Sequence, residues 1–179
     1  MLMRRMILTC AVGLLVLVGL AACAEDDVAG VGETAVATMW GVDGAAMGTV
    51  TMEQGPHGVL ISADVSGLTE GGHGFHIHTV GSCSPDFSAA GGHFAPEGRG
   101  HGFLYADGAH AGDIPNIYAA GDGTARADFF TDWVTLAAHG TTSVFDADGS
   151  TIIIHAKPDT YGSEAGAGDR VACGVITRN

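Results

Sequence analysis

Along most of this chain apolar and polar positions alternate in short runs. Val59, Ile61, Ala63 and Val65 alternate with Ser62, Asp64 and Ser66, and Ala125, Ala127 and Phe129 alternate with Arg126 and Asp128. A period of two marks an extended strand with one buried face. Ala35, Ala37 and Met39 predict another strand, Val50 and Met52 a third, and Val171 to Thr177 the last. Ile152-Ile153-Ile154 is unbroken, the pattern of a strand covered on both faces. No window has helical periodicity. Asp-Gly recurs at 43–44, 107–108, 122–123 and 148–149, supplying the positive φ that tight turns require. The first and third of these lie between strand candidates and predict hairpins. The pattern predicts an all-β domain, an antiparallel sandwich or barrel of about eight strands.

Three stretches break the rhythm. The first is N-terminal: Arg4 and Arg5 precede an apolar run from Met6 to Leu20, closed by the small residues Ala21 and Ala22 before Cys23. Its length and flanks are those of an export signal rather than a spanning helix. Leu20-Ala21-Ala22-Cys23 resembles the lipobox of bacterial lipoproteins, which implies a lipid on Cys23 as the new N-terminus. Ala22-Cys23-Ala24 also fits ordinary secretory cleavage after Ala24. The expected organisation is a signal over 1–23, a small acidic tether over 24–32 and one domain over 33–179. The second break, Thr79 to Ile114, is a long Gly- and Ala-rich loop, and the third is the shorter stretch from Tyr161 to Asp169. A loop as long as the second inside a compact domain is usually functional or disordered.

Charge and cysteines narrow the picture further. Without residues 1–23 the chain carries five bases against 20 acids, a formal charge of −15. That surface argues against nucleic acid and anionic lipid as partners, and confines any membrane contact to the N-terminal anchor. Cys10 leaves with the signal and Cys23 is the lipid candidate. Cys83 and Cys173 remain, and an exported pair reads as a disulfide, two free buried thiols being the alternative.

The histidines carry the chemistry. In Gly74-Phe75-His76-Ile77-His78 two imidazoles two residues apart on extended backbone project to one side. Two are too few for a tight metal site. His155 ends the Ile152–Ile154 run, where a neighbouring strand can set it beside them. His93, His101, His110 and Asp113 lie along or at the end of the long loop. Three imidazoles with one carboxylate suit tetrahedral zinc, and His76, His78 and His155 with a further imidazole suit copper(II). If His93 serves both groups each metal has four ligands, since an imidazole has two ring nitrogens; spacing alone does not show the sharing.

Gly74–His78, Gly92-His93-Phe94-Ala95-Pro96, His110-Ala111-Gly112-Asp113, His155-Ala156-Lys157-Pro158-Asp159 and Arg170-Val171-Ala172-Cys173-Gly174-Val175-Ile176 together resemble the successive signatures of copper/zinc superoxide dismutases. The resemblance runs from about Ala35 to Ile176 and implies an eight-stranded Greek-key fold with a long metal-binding loop. It implies copper on His76, His78, His93 and His155, and zinc on His93, His101, His110 and Asp113. Asp159 matches the carboxylate that links one ligand of each metal, Arg170 the arginine that meets the anionic substrate, and Cys83 with Cys173 the family disulfide. The activity implied is conversion of superoxide to dioxygen and hydrogen peroxide by alternate reduction and oxidation of copper, with His93 handing on a proton. The N-terminal signal and its lipobox-like end imply an exported, cell-envelope protein. Family members pair through different faces or stay monomeric, so a homodimer is compatible with it.

The other histidines have plainer roles: His73 is expected to bond backbone near its strand, and His57 and His139 to be exposed. Met39, Met47 and Met52 suit core or surface rather than copper ligation. The rival from another class is a copper/zinc binding or delivery protein on the same fold, which loss of copper-side histidines, Asp159 or Arg170 would favour; all are present. A blue-copper carrier needs a cysteine thiolate beside two histidines, and no methionine follows Cys173. Tyr161 to Asp169 carries Glu164 and Asp169 but no lysine, so electrostatic guidance of superoxide is expected to be weaker than in many relatives.

Overall fold

The computed structural model describes residues 29–179; the apolar run, Cys10, Cys23 and residues 24–28 lie outside the described residues. In chain order the strands are β1 Thr34–Gly41, β2 Ala46–Gly55, β3 Gly58–Val65, β4 Gly71–His78, β5 Asp113–Ala119, β6 Ala125–Thr131, β7 Thr151–His155 and β8 Arg170–Arg178. They form one antiparallel sheet in the order β5-β4-β7-β8-β1-β2-β3-β6, curled into a nearly closed Greek-key barrel. A single 3-10 turn, Phe87–Ala90, is the helical element among the described residues.

Strand alternation directs the core. Val59, Ile61, Ala63 and Val65 of β3, Ala35, Ala37 and Met39 of β1, and Val50 and Met52 of β2 all point inward. Phe75 and Ile77 of β4 and Ile152 and Ile154 of β7 join the same cluster. Gly44 (φ 79°) makes the β1–β2 hairpin turn as expected. The Asp122-Gly123 turn links β5 to β6, closed by Ala120 N donating to Thr124 O, but it makes no hairpin ladder. β6 pairs instead with β3 along its whole length, which leaves β5 and β6 facing each other across the barrel's seam. Phe75 and Phe129 fill that seam, with ring centroids 5.4 Å apart. At the other end of the chain, Gly32 N donates to Gln54 O as residues 29–32 turn into β1.

The outer face of β4 and β7 is covered by the long loops. The segment around His93 runs beside β4: Phe94 N donates to Ile77 O, Ile77 N to Gly112 O, and Gly112 N to Phe94 O. Phe94 is thereby buried in the core, while its neighbour His93 stands opposite His78. Cys83 and Cys173 are joined, pinning the start of this loop to β8 over a small second cluster of Ile153, Ala90 and Phe87.

Candidate metal centre

β4 alternates Phe75 and Ile77 inward with His76 and His78 outward, and Thr151, Ile153 and His155 of β7 lie on that same outer face. Register shifts flank the site, between His73 and Phe75 against β5 and between Ile154 and His155 against β8. Such irregularities re-aim side chains locally. Gly74 leaves the space the rings need: a Cβ there would lie 3.1 Å from His76 Cε1 and 3.4 Å from His155 Cβ.

Two groups with metal-ligand spacing result. Ligand atoms of His76, His78, His93 and His155 lie within 4.8 Å of one another, and so do those of His76, His93, His101 and Asp113. His93 sits at the centre, its ring 4.0 Å from that of His76, 4.9 Å from His78, 5.1 Å from His101 and 5.3 Å from His110. Its Nδ1 meets Asp113 Oδ1 at 2.8 Å, which leaves Nε2 for the four-imidazole side. Asp113 divides its two oxygens between tasks. Oδ2 accepts from the backbone amides of Gly102 and His110, while Oδ1 faces His93 Nδ1, His110 Nδ1 (3.2 Å) and His101 Nε2 (3.8 Å). His110 is thus joined to the loop-side group through Asp113, although the tightest cluster there contains His76 in its place.

The donor set fits a cation. His76 Nδ1, His78 Nε2 and His155 Nε2 are buried polar atoms with no hydrogen-bond partner in the protein. Orphaned buried nitrogens are costly unless something accepts their lone pairs, and all three belong to the four-imidazole group. The opposite ring nitrogens are all engaged. His78 Nδ1 lies 3.0 Å from Gly91 O, His155 Nδ1 3.1 Å from Gly168 O and His76 Nε2 2.7 Å from Asp159 Oδ2. A hydrogen bond at one ring nitrogen commits the other as the lone-pair donor.

Electrostatics keeps these rings neutral. Burial lowers the pKa of His78 to about 2 and that of His155 to about 4, with His93 and Arg170 acting in the same direction. Burial also lowers His76, against the opposing hydrogen bond to Asp159, and lowers His110. For Asp113, burial alone would raise the pKa; hydrogen bonds from His93 and Gly102 and the nearby imidazoles outweigh it and hold the carboxyl below the usual carboxylate range. Neutral imidazoles beside an ionised carboxylate are the protonation states that bind metal ions.

Arg170 pairs in register with His155 and is tied down by two backbone carbonyls, Phe87 O and Gly91 O. Gly91 O therefore serves both Arg170 and the His78 ring, a role that motif reading missed because a carbonyl leaves no mark in the sequence. Asp159 Oδ2 joins His76 to His101, at 2.7 and 2.8 Å. His73 lies between the carbonyls of His155 and Thr69, and His57 and His139 are exposed. Met39, Met47 and Met52 are buried in the core. Apart from Cys23, which lies outside the described residues, the expected site residues gather around this one face.

An eight-stranded barrel carrying two adjoining imidazole-rich groups that share the His76 and His93 rings defines a protein with room for metal ions. The family model for copper/zinc superoxide dismutase matches residues 46–176. A superoxide dismutase [Cu-Zn] of Caulobacter vibrioides is 45% identical over 148 residues, covering 80% of this chain and 85% of its own. One from Aquifex aeolicus is 41% identical, covering 75% and 81%. The solved structure of a SOD-like protein from Bacillus subtilis superposes with a TM-score of 0.74 at 33% identity, covering 78% of this chain and 96% of its own. The chain belongs to the copper/zinc superoxide dismutase family.

Proposed function

We infer that this chain is a superoxide dismutase that takes copper and zinc as its cofactors and converts superoxide to dioxygen and hydrogen peroxide. The observation that carries the reading beyond family membership is the set of three buried, unpartnered imidazole nitrogens, His76 Nδ1, His78 Nε2 and His155 Nε2, grouped beside a fixed guanidinium. On this reading His76, His78, His93 and His155 hold copper, and His93, His101, His110 and Asp113 hold zinc. Bound there, copper supplies the one-electron oxidation and reduction of superoxide, while zinc supplies charge that holds the shared imidazole.

The remaining work belongs to the protein's own groups. Arg170, immobilised at Phe87 O and Gly91 O, presents a permanent positive charge to an anionic substrate. In a chain this acidic the guanidinium and Lys157 form a local exception that draws the anion in. His93 Nε2 is the ring atom placed to take up a proton and hand it to peroxide, since Nδ1 faces the zinc-side group at Asp113. Asp159 orients His76 and His101 and raises their basicity as ligands.

The Cys83–Cys173 disulfide supports an oxidising, extracytoplasmic location. The N-terminal run supports export, with Cys23 as a lipid anchor, residues 24–32 as tether and 33–179 as the enzyme domain. Retention of the copper-side histidines, Asp159 and Arg170 favours an enzyme over a metal-delivery protein on the same fold.

Reconstituted protein is expected to hold one copper and one zinc per chain and to dismutate superoxide. Both metals bound without activity would leave a metal-binding protein. Arg170→Ala is expected to lower the second-order rate about tenfold and flatten its salt dependence with both metals retained. Unchanged kinetics would remove Arg170 from the mechanism.

A further inference from the structure

Asp159 is held on every side. Oδ2 accepts from the His76 and His101 rings, and Oδ1 accepts from Tyr161 N at 2.6 Å. The side chain of Asn116 closes on its backbone: Asp159 N donates to Asn116 Oδ1 at 2.7 Å, and Asn116 Nδ2 donates to Asp159 O at 3.0 Å. Asn116 N in turn donates to the Tyr161 hydroxyl at 2.8 Å. Asn116, Asp159 and Tyr161 thus form a closed circuit, and the first two are buried. Asn116 lies on β5 three residues after Asp113, so the same strand registers the carboxylate of one metal group and the clamp on Asp159.

Tyr161 is the one non-glycine residue with a left-handed backbone among the described residues, at φ 62°. A side chain persists in that region only where its surroundings over-determine it. Here the amide is held by Asp159, the carbonyl accepts from Leu104 N, the hydroxyl accepts from Asn116 N, and the ring lies 5.6 Å from that of Phe103. Gly102, directly after His101, packs so closely that a Cβ there would lie 2.5 Å from Tyr161 O and 2.1 Å from Gly162 O. The two segments have no room to slide past each other.

We propose that Asn116 and Tyr161 are positioning residues for both metal groups, locking Asp159 so that one carboxylate oxygen meets His76 and His101 together. The proposal rests on the metal assignment made above and acts through Asp159 alone. Its test is the rate of zinc release to a chelator, and the copper(II) electron paramagnetic resonance spectrum, of protein reconstituted with both metals. Asp159→Asn is expected to speed release about 10–100-fold. Asn116→Ala is expected to speed it about tenfold. Tyr161→Phe, which keeps the ring, is expected to speed it about fivefold, the change one hydrogen bond supports. In an Asp159→Asn background neither second substitution should add anything, and their spectra should coincide with that of the single variant. Further acceleration in that background, or no acceleration by N116A and Y161F in the native one, would overturn the proposal while leaving the metal assignment intact. If D159N alone leaves release unchanged, the linking role of Asp159 falls as well.

Discussion

β1, β2 and β3 alternate buried with partly or fully exposed residues, and β6 alternates half-buried with exposed residues after the buried Ala125, whereas β7 is buried at every position and β4 from His73 onward. Both halves of the barrel share one interior. The difference lies outside: the first half turns its other face to water, and the second turns it to the loops that follow β4, β6 and β7. Those loops bury imidazoles alongside one aliphatic side chain, Ile153. The half with one wet face needs nothing from its outer residues except solubility. The doubly covered half spends its outer face on polar groups that burial makes expensive, offset by hydrogen bonds to one ring nitrogen and, on the proposed function, by a ligand role for the other.

If that contrast is right, substitutions in the two halves should separate activity from stability. The largest effect is expected from His78→Ala. Copper retention and dismutase activity should fall by more than the about 100-fold typical of an outer-sphere partner, while the melting midpoint of the metal-free barrel moves little. Full activity with copper still bound would contradict the ligand role. Cys83→Ser touches both properties, because the disulfide spans 90 residues and anchors the loop that carries Gly91 and His93. It should cost about 4–5 kcal/mol in chemical denaturation and speed copper loss together; copper loss unchanged would show that the loop holds its shape without the bridge.

Ile61→Ala gives the converse. Ile61 is fully buried in the half without metal ligands, so truncation should cost about 2–5 kcal/mol and leave the metal content per folded chain as it was. A loss of metal in this variant would mean that the halves are mechanically coupled. The most gradual effect concerns pH. The folded pKa values of His78 and His155 lie below the ordinary histidine value of 6.5, so the unfolded chain binds more protons in that range. The stability of the metal-free protein should therefore be full above pH 6.5 and decline as pH falls through about 4. The depressed Asp113 and Asp159 add a loss in the same direction below pH 3.8. His155→Phe should flatten the upper part of that decline.

Much of the fold was legible because its cause is local. Alternation in β3 and β6 and the unbroken Ile152–Ile154 run follow from which faces of each strand are covered. The pairing of β6 was not legible. An Asp-Gly turn predicts a hairpin with β5, but the long antiparallel match to β3 wins and leaves only the turn itself. For the site, His76, His78, His93, His101, His110, Asp113 and His155 were visible as residue types at suggestive positions. Gly91, Asn116 and Tyr161 were not. One acts through a carbonyl, one through an amide clamp on a residue 43 positions away, and one through a hydroxyl and a backbone angle.

By itself the sequence determined the class of fold, the inventory of candidate metal ligands and the pair of cysteines, because side-chain chemistry and strand period are properties of the chain. Only the tertiary structure decided which nitrogen of each ring faces a metal group. His76 leaves Nδ1 free because Asp159 takes Nε2; His78 and His155 leave Nε2 free because the carbonyls of Gly91 and Gly168 take Nδ1. Those partners lie 13 to 83 residues away along the chain, so the choice exists only once loops and strands have packed.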